Sequence, residues 1–214
     1  DFNNKDEVKA LKSLKDSYLL AFHNYFAHKY QHLLFEQGED KTYWNYNEET
    51  GIYDEINFSI VRGLVLKLLI DDGLIANATE ATAKTVLGRY RSVYSDRGHM
   101  YDDFNNENNF FHACNGWVQL DTLEFTPHTP DRLSRRKSAV SYDDKAMCPL
   151  YDKFLDEQIQ LDKDKVRVID QFSGLLLTPD ITKQKMLVLI GKPGCCKSTL
   201  LDLWSDVLGD LATQ

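Results

Sequence analysis

The sequence predicts a mainly α-helical protein with small β elements, leading near its end into the first β-strand, P-loop and helix of an α/β module. Three observations carry this. Apolar residues recur at three- and four-residue spacing over several long stretches, the period of half-buried helices. Short aromatic runs bounded by turn residues interrupt them, the pattern of small hairpins. Finally, the apolar run Met186-Leu187-Val188-Leu189-Ile190 meets a Gly/Pro turn and then a new helical pattern.

Taken in order, residues 6–35 predict a helix, with Val8, Leu11, Leu14, Tyr18, Phe22, Tyr25, Phe26, Tyr30 and Leu33 at helical spacing. His28 and His32 fall four apart in it, a spacing that suits a metal, yet no carboxylate or Cys completes a site. Residues 37–40 read as a polar turn. Thr42 to Tyr46 and Gly51 to Tyr53 flank Asn47-Glu48-Glu49-Thr50, which predicts an aromatic-rich hairpin. Its aromatics could stack on single-stranded bases or pack on neighbouring helices. Residues 56–70 form a second, largely buried helix, stopped by Asp71-Asp72-Gly73. Asn77-Ala78-Thr79-Glu80 resembles a capping box that opens a third helix through Tyr94.

The polar stretch 102–109 marks a break. Phe110 to Gln119 predicts a hairpin turning at Asn115-Gly116. Residues 121–142 lack periodicity and read as a surface-crossing connector. It contains Arg132, Arg135, Arg136 and Lys137, the densest basic cluster in the chain and a candidate for DNA phosphate contacts. A solvated charge run is the other reading of that cluster. Pro149 opens a helix through Ile159, and another spans 163–176 before Thr178-Pro179-Asp180. The paired acids Asp71/Asp72, Asp102/Asp103 and Asp143/Asp144 sit in turn-like segments and read as solvated loops. The organisation expected is a helical domain with a small hairpin over 1–109, a connector with helices over 110–180, and the start of a P-loop domain over 181–214.

The last segment carries the chemistry. Gly191, Lys192, Pro193, Gly194, Cys195, Cys196, Lys197, Ser198 and Thr199 follow the pattern G-x-x-x-x-G-K-[ST] except at Cys196, where the second Gly should stand. A strand, a tight loop and a helix are the context such a loop requires. Loop amides and the positive end of the helix then face the phosphates of a nucleotide such as ATP. Lys197 reaches the β- and γ-phosphates, and the Ser198 hydroxyl ligates Mg²⁺. A Cys held at a positive φ would cost about 1 kcal/mol relative to Gly. The adjacent Cys195 and Cys196 also suggest redox control.

Bulk properties narrow the classes. The 214 residues carry 25 Lys and Arg against 33 Asp and Glu, a net charge of −8, which opposes a surface wholly given to clamping nucleic acid. The four cysteines form no C-x-x-C pair and no secretory signal is visible, so a reducing, cytoplasmic setting is expected. The longest apolar run, around Leu64 to Ile70, contains Lys67 and is too short to span a bilayer, so no membrane partner is expected. An acidic strand that would assist Mg²⁺ and water cannot fit between Thr199 and Gln214. The chain is therefore expected to be part of a longer protein.

Taken in order, Asn115 to Asp121, Thr126 to Ser134, Val140 to Pro149 and Phe172 to Asp180 resemble segments of the phage and plasmid replication primase–helicases, whose helicase part belongs to superfamily 3 and which include the poxvirus primase–helicase. Asn115-Gly116-Trp117-Val118 with Leu120-Asp121 resembles the family's "NG…DL", with Leu123 where a Gly is common. Thr126-Pro127-His128-Thr129-Pro130-Asp131 with Leu133-Ser134 resembles "PHxPxxxxT". Val140-Ser141-Tyr142-Asp143 with Ala146-Met147-Cys148-Pro149 is similar to "VxYDxxAxCP", and Phe172 to Asp180 to "LGYxLTxD". Tyr46 with Thr50-Gly51-Ile52-Tyr53 is similar to "YxxxTGxW" more loosely. The resemblance implies a helical domain preceding an AAA+-like α/β ATPase, a ring, usually a hexamer, that translocates on DNA, and a parent that often carries primase or primase-polymerase activity. A replicative DNA helicase using ATP and Mg²⁺ is the expected function. The alternative is a non-enzymatic oligomerisation or DNA-docking module with a degenerate P-loop.

Overall fold

The computed structural model describes residues 5–38, 42–159 and 162–212 and is mixed, with helices and two small sheets. The chain divides into two compact units, residues 1–46 with 53–101, and residues 47–52 with 102–214. None of the described helices is long and apolar enough to cross a membrane.

In the first unit, α1 (Lys5–Lys29) is followed by β1 (Leu33–Glu36), then the hairpin of β2 (Thr42–Asn47) and β3 (Ile52–Asn57). The expected first helix is shorter than 6–35. Leu33, Leu34 and Phe35 form a strand because all three are buried, which needs both faces of an extended chain covered. His32 therefore leaves the helix, and the i, i+4 relation with His28 is lost. The side chains of Val8, Leu11 and Leu14, and residues 39–40 of the expected turn, lie outside the described residues.

α2 (Phe58–Asp71) is capped by the Asn57 side chain on the Ile60 amide. α3 (Glu80–Val93) is capped by Thr79, whose side chain accepts from the Thr82 amide. The cap is thus Thr79 and not the expected Asn77. Asn77 itself sits in a short 3-10 turn over Ile75–Asn77. β4 (Gly98–His99) completes a sheet of order β3-β2-β1-β4, with β1 antiparallel to β2 and parallel to β4. The sheet and the three helices enclose one core that includes Phe26, Leu33, Tyr43, Val65, Leu69 and Tyr90. Burial pushes the Tyr90 hydroxyl up to about 12; it donates to the Leu33 carbonyl and accepts from Arg97 Nη1 at 2.9 Å.

In the second unit, β5 (Phe110–Ala113), β6 (Gly116–Gln119) and β7 (Phe125–Thr126) form an antiparallel sheet in that order. Ala113 pairs with Gly116, so the turn residues are Cys114-Asn115, one position before the expected Asn115-Gly116. The following stretch is irregular, but it is more than a surface connector: Ser134 and Ser138 are only 2% and 1% exposed. α4 (Pro149–Ile159), α5 (Lys163–Leu176) and α6 (Lys197–Leu208) follow. α6 has two inward faces. Leu208 packs with Phe111, Ala113 and Val118 of the sheet, while Leu200 and Trp204 pack with Leu155 and Ile169. Gly209 ends α6 at φ 56, and a Cβ there would meet the Ala139 backbone at 2.8 Å.

The expected strand at 186–190 is not a strand. The segment has no regular secondary structure, and no ladder pairs with it among the described residues. Its burial still alternates. Leu187 and Leu189 are half-buried, whereas Met186, Val188 and Ile190 are 84%, 61% and 92% exposed. An apolar pattern alone does not make a strand; a neighbouring strand must supply the ladder.

Candidate nucleotide-binding site

The loop between residues 186–190 and α6 turns at Gly194, φ 77, and at Cys196, φ 54 and ψ 24, which is left-handed. The backbone at 196 thus has the conformation that the usual Gly supplies without strain. α6 begins at Lys197, and no side chain caps its N-terminus. Its first-turn amides and the positive end of its dipole therefore remain available to an anion.

Lys197 folds back into the loop. Its Nζ donates to the carbonyls of Gly191 at 3.1 Å and Lys192 at 3.0 Å, and to Cys195 Sγ at 3.2 Å. A Cβ on Gly191 would lie 2.6 Å from Cys195 Sγ, so the sulfur occupies space inside the loop and only Gly fits opposite it. Gly191 to Gly194, Ser198 and Thr199 are exposed; Cys195, Cys196 and Lys197 are half-buried. The nine expected residues thus run from an accessible loop into the first turn of α6, with the Lys197 ammonium folded back onto the loop carbonyls. A phosphate would exchange neutral acceptors on Lys197 for charged ones, which make the stronger bonds. Ser198, in the first turn of α6, is where a hydroxyl would reach Mg²⁺ carried by a nucleotide.

The basic cluster is placed differently. Arg132 pairs with Glu107 at 3.2 Å and lies 3.5 Å from the Phe110 ring centroid. Lys137 Nζ donates to the carbonyls of Thr50 at 2.7 Å and Cys114 at 3.3 Å. Arg135 lies 5.4 Å from the Phe104 ring centroid, and Arg136 contributes its carbonyl to the network below. These four residues are built into the unit as connections; they do not form an open stripe.

Sequence reading did not single out the network centred on His112. Ser134 Oγ lies 2.9 Å from His112 Nδ1, His112 Nε2 lies 3.2 Å from His128 Nδ1, and His128 Nε2 lies 3.1 Å from the Cys114 carbonyl. The carbonyl only accepts, so His128 Nε2 carries its proton. His128 Nδ1 then accepts from His112 Nε2, while the Ser134 hydroxyl donates to the Arg136 carbonyl at 2.6 Å. Both rings are neutral in this arrangement. Burial, followed by the neighbouring His128 and Lys137, pushes His112 down to about 3. Burial also lowers His128, with Lys137 adding to it.

The order Ser–His–His suggests a nucleophile and its base, but Ser134 is 2% exposed and His112 3%. His112 is also covered by Trp117, stacked at 3.9 Å. Both groups are thus largely shut off from bulk solvent, and the network ties segments of the unit together. It gathers the resemblance segments: Gly51 packs on His128, where a Cβ would come within 2.2 Å of the ring. Asn115 exchanges two bonds with the Tyr142 backbone at 3.0 and 2.9 Å. Ser138 Oγ donates to the Val207 carbonyl near the end of α6. His112 lay hidden because a single His in a short apolar strand has no periodic signal; only the register opposite Trp117 identifies it.

No curated protein matches this chain. The family described as D5 N terminal like matches residues 21–160, about two thirds of the chain. The match includes His112, His128 and Ser134 and ends before the loop at 191–199. The chain therefore belongs to the D5 N terminal like family, the N-terminal region of D5-like primase–helicase proteins.

Proposed function

We propose that this chain is part of a replicative DNA helicase of phage, plasmid or viral type, and that residues 191–199 bind ATP with Mg²⁺. The observation that carries the reading is Lys197, held inside an exposed loop at an uncapped helix N-terminus with only neutral partners. Family membership supports a role in replication. The ATP would supply the energy for translocation, and the AAA+-like module would assemble as a hexameric ring around DNA. In the full-length protein, Lys197→Ala should abolish DNA-stimulated ATP hydrolysis; unchanged hydrolysis would defeat the proposal.

A second reading is favoured by one observation. Cys196 is left-handed without being Gly, and Cys195 Sγ fills part of the loop. A relic loop in an oligomerisation or DNA-docking module would retain this strain without binding nucleotide. Titration with a non-hydrolysable ATP analogue and Mg²⁺ separates the two: micromolar binding supports the motor, and none at millimolar concentration supports the relic.

A further inference from the structure

The loop at 191–199 carries two thiols that phosphate binding does not use. Cys195 and Cys196 are adjacent, half-buried and free of any disulfide. Their sulfurs have different surroundings. Cys195 Sγ lies inside the loop, where it accepts from Lys197 Nζ at 3.2 Å and fills the space a Cβ on Gly191 would need. Cys196 Sγ lies 3.9 Å from the Gly194 carbonyl. Both residues and Lys197 line a groove of about 740 Å³, which admits reagents far larger than peroxide. Cys148, in the same unit, is exposed and serves as an internal reference for simple accessibility.

We propose that Cys195 and Cys196 form an oxidisable vicinal dithiol, a modification site for peroxide that reshapes the loop around Lys197. Cys195 Sγ attacks one peroxide oxygen, the O–O bond breaks, and a sulfenic acid forms. The second oxygen leaves as water with the thiol proton. The Lys197 ammonium, already on the sulfur, can donate to that oxygen as its negative charge develops. The Cys196 thiol then attacks the sulfenic sulfur; the S–S bond forms, the S–O bond breaks, and a second water leaves. Two thiols and one peroxide give one disulfide and two waters. Adjacent Cα atoms sit about 3.8 Å apart, short of the roughly 4.4–6.8 Å usual for a disulfide, so the bond is strained and readily reduced. A strained disulfide is of the reversible, regulatory kind. Closing the ring draws Cys195 Sγ from Lys197 and resets the torsions between Gly194 and the first amide of α6, so the loop donors no longer converge on one anion. The consequence for MgATP rests on the proposed nucleotide site; the oxidation itself does not.

Graded hydrogen peroxide on the intact protein, followed by peptide mass mapping and MgATP titration, tests this. The peptide 186–197 of wild type should lose two hydrogens at peroxide concentrations that leave Cys148 reduced. MgATP binding should weaken by at least about tenfold and return on reduction with dithiothreitol. Cys196→Ser should stop at the sulfenic acid, trapped on Cys195 by dimedone, with no disulfide in the peptide. Oxidation of Cys148 ahead of the pair, or trapping at 195 no faster than at 148, overturns the dithiol. A disulfide that forms and leaves MgATP binding unchanged overturns the reshaping of the loop. No MgATP binding by the reduced protein overturns the nucleotide reading and the regulatory consequence with it, and the peptide masses still decide the dithiol.

Discussion

The network around His112 and the loop around Lys197 lie in one unit, and both collect chemically expressive residues, but their polar groups are satisfied differently. Around His112 the partners are internal and buried: Ser134, His128 and the Cys114 carbonyl follow one another within hydrogen-bond distance. Around Lys197 the partners are carbonyls of an exposed loop. A buried network that meets its own needs fixes a fold, because losing any member strands the rest away from water. A cation held only by replaceable neutral carbonyls of an exposed loop contributes little to stability and can be taken over by a ligand. Motif density alone does not distinguish the two; burial and partner identity do.

The sharpest way to break the comparison is at Gly51. Gly51→Ala places a Cβ within 2.2 Å of the His128 ring at φ 73, so clash and backbone strain act together. Stability measured by urea unfolding should fall by about 3 kcal/mol. A loss no larger than that of an exposed-loop substitution would show that the turn does not lean on His128. His112→Ala should cost a similar or slightly smaller amount, about 2–3 kcal/mol, through a cavity and two stranded partners.

The pH dependence follows from the same site. His112 is pushed down to about 3 in the folded state from an ordinary value of 6.5. The unfolded chain takes up the proton first as pH falls, so the stabilisation is complete above 6.5 and is lost between 6.5 and about 3. The slope from His112 approaches about 1.4 kcal/mol per pH unit within that window. His112→Gln should flatten the curve obtained from unfolding at a series of pH values. An unchanged slope would contradict the neutral-pair assignment.

A smaller effect is expected at Cys196. Cys196→Gly should relieve the left-handed strain at 196, raising stability by no more than about 1 kcal/mol. It should also tighten nucleotide binding, read by titration. Weaker binding in that variant would mean that the Cys side chain contributes to the site.

Much of the fold was legible because amphipathic spacing is local. α2, α3, α5 and α6 follow from apolar residues at helical spacing, and Gly209 marks a stop by its positive φ. The errors arose where the answer depends on distant chain. Leu33-Leu34-Phe35 continues a helical pattern in sequence and becomes β1 only because β2 and β4 pair with it. Residues 186–190 show the opposite case, a strand-like pattern without a ladder among the described residues. At 79 the cap fell two residues later than expected because a 3-10 turn ending at Asn77 intervenes. At the candidate site, the loop residues were legible from spacing alone. The fold-back of Lys197 onto Cys195 and the burial of Ser134 and Ser138 were not, since both depend on three-dimensional neighbours.

The central claim is that Lys197 serves a ligand and not the fold. Titration of MgATP into wild type and Lys197→Ala, with urea unfolding of both, tests it most directly. The account predicts unchanged stability within about 0.5 kcal/mol, since a cation on the carbonyls of an exposed loop adds little, together with at least about tenfold weaker binding in the variant. Equal MgATP binding by the two proteins, or a variant that binds normally but is strongly destabilised, would contradict it.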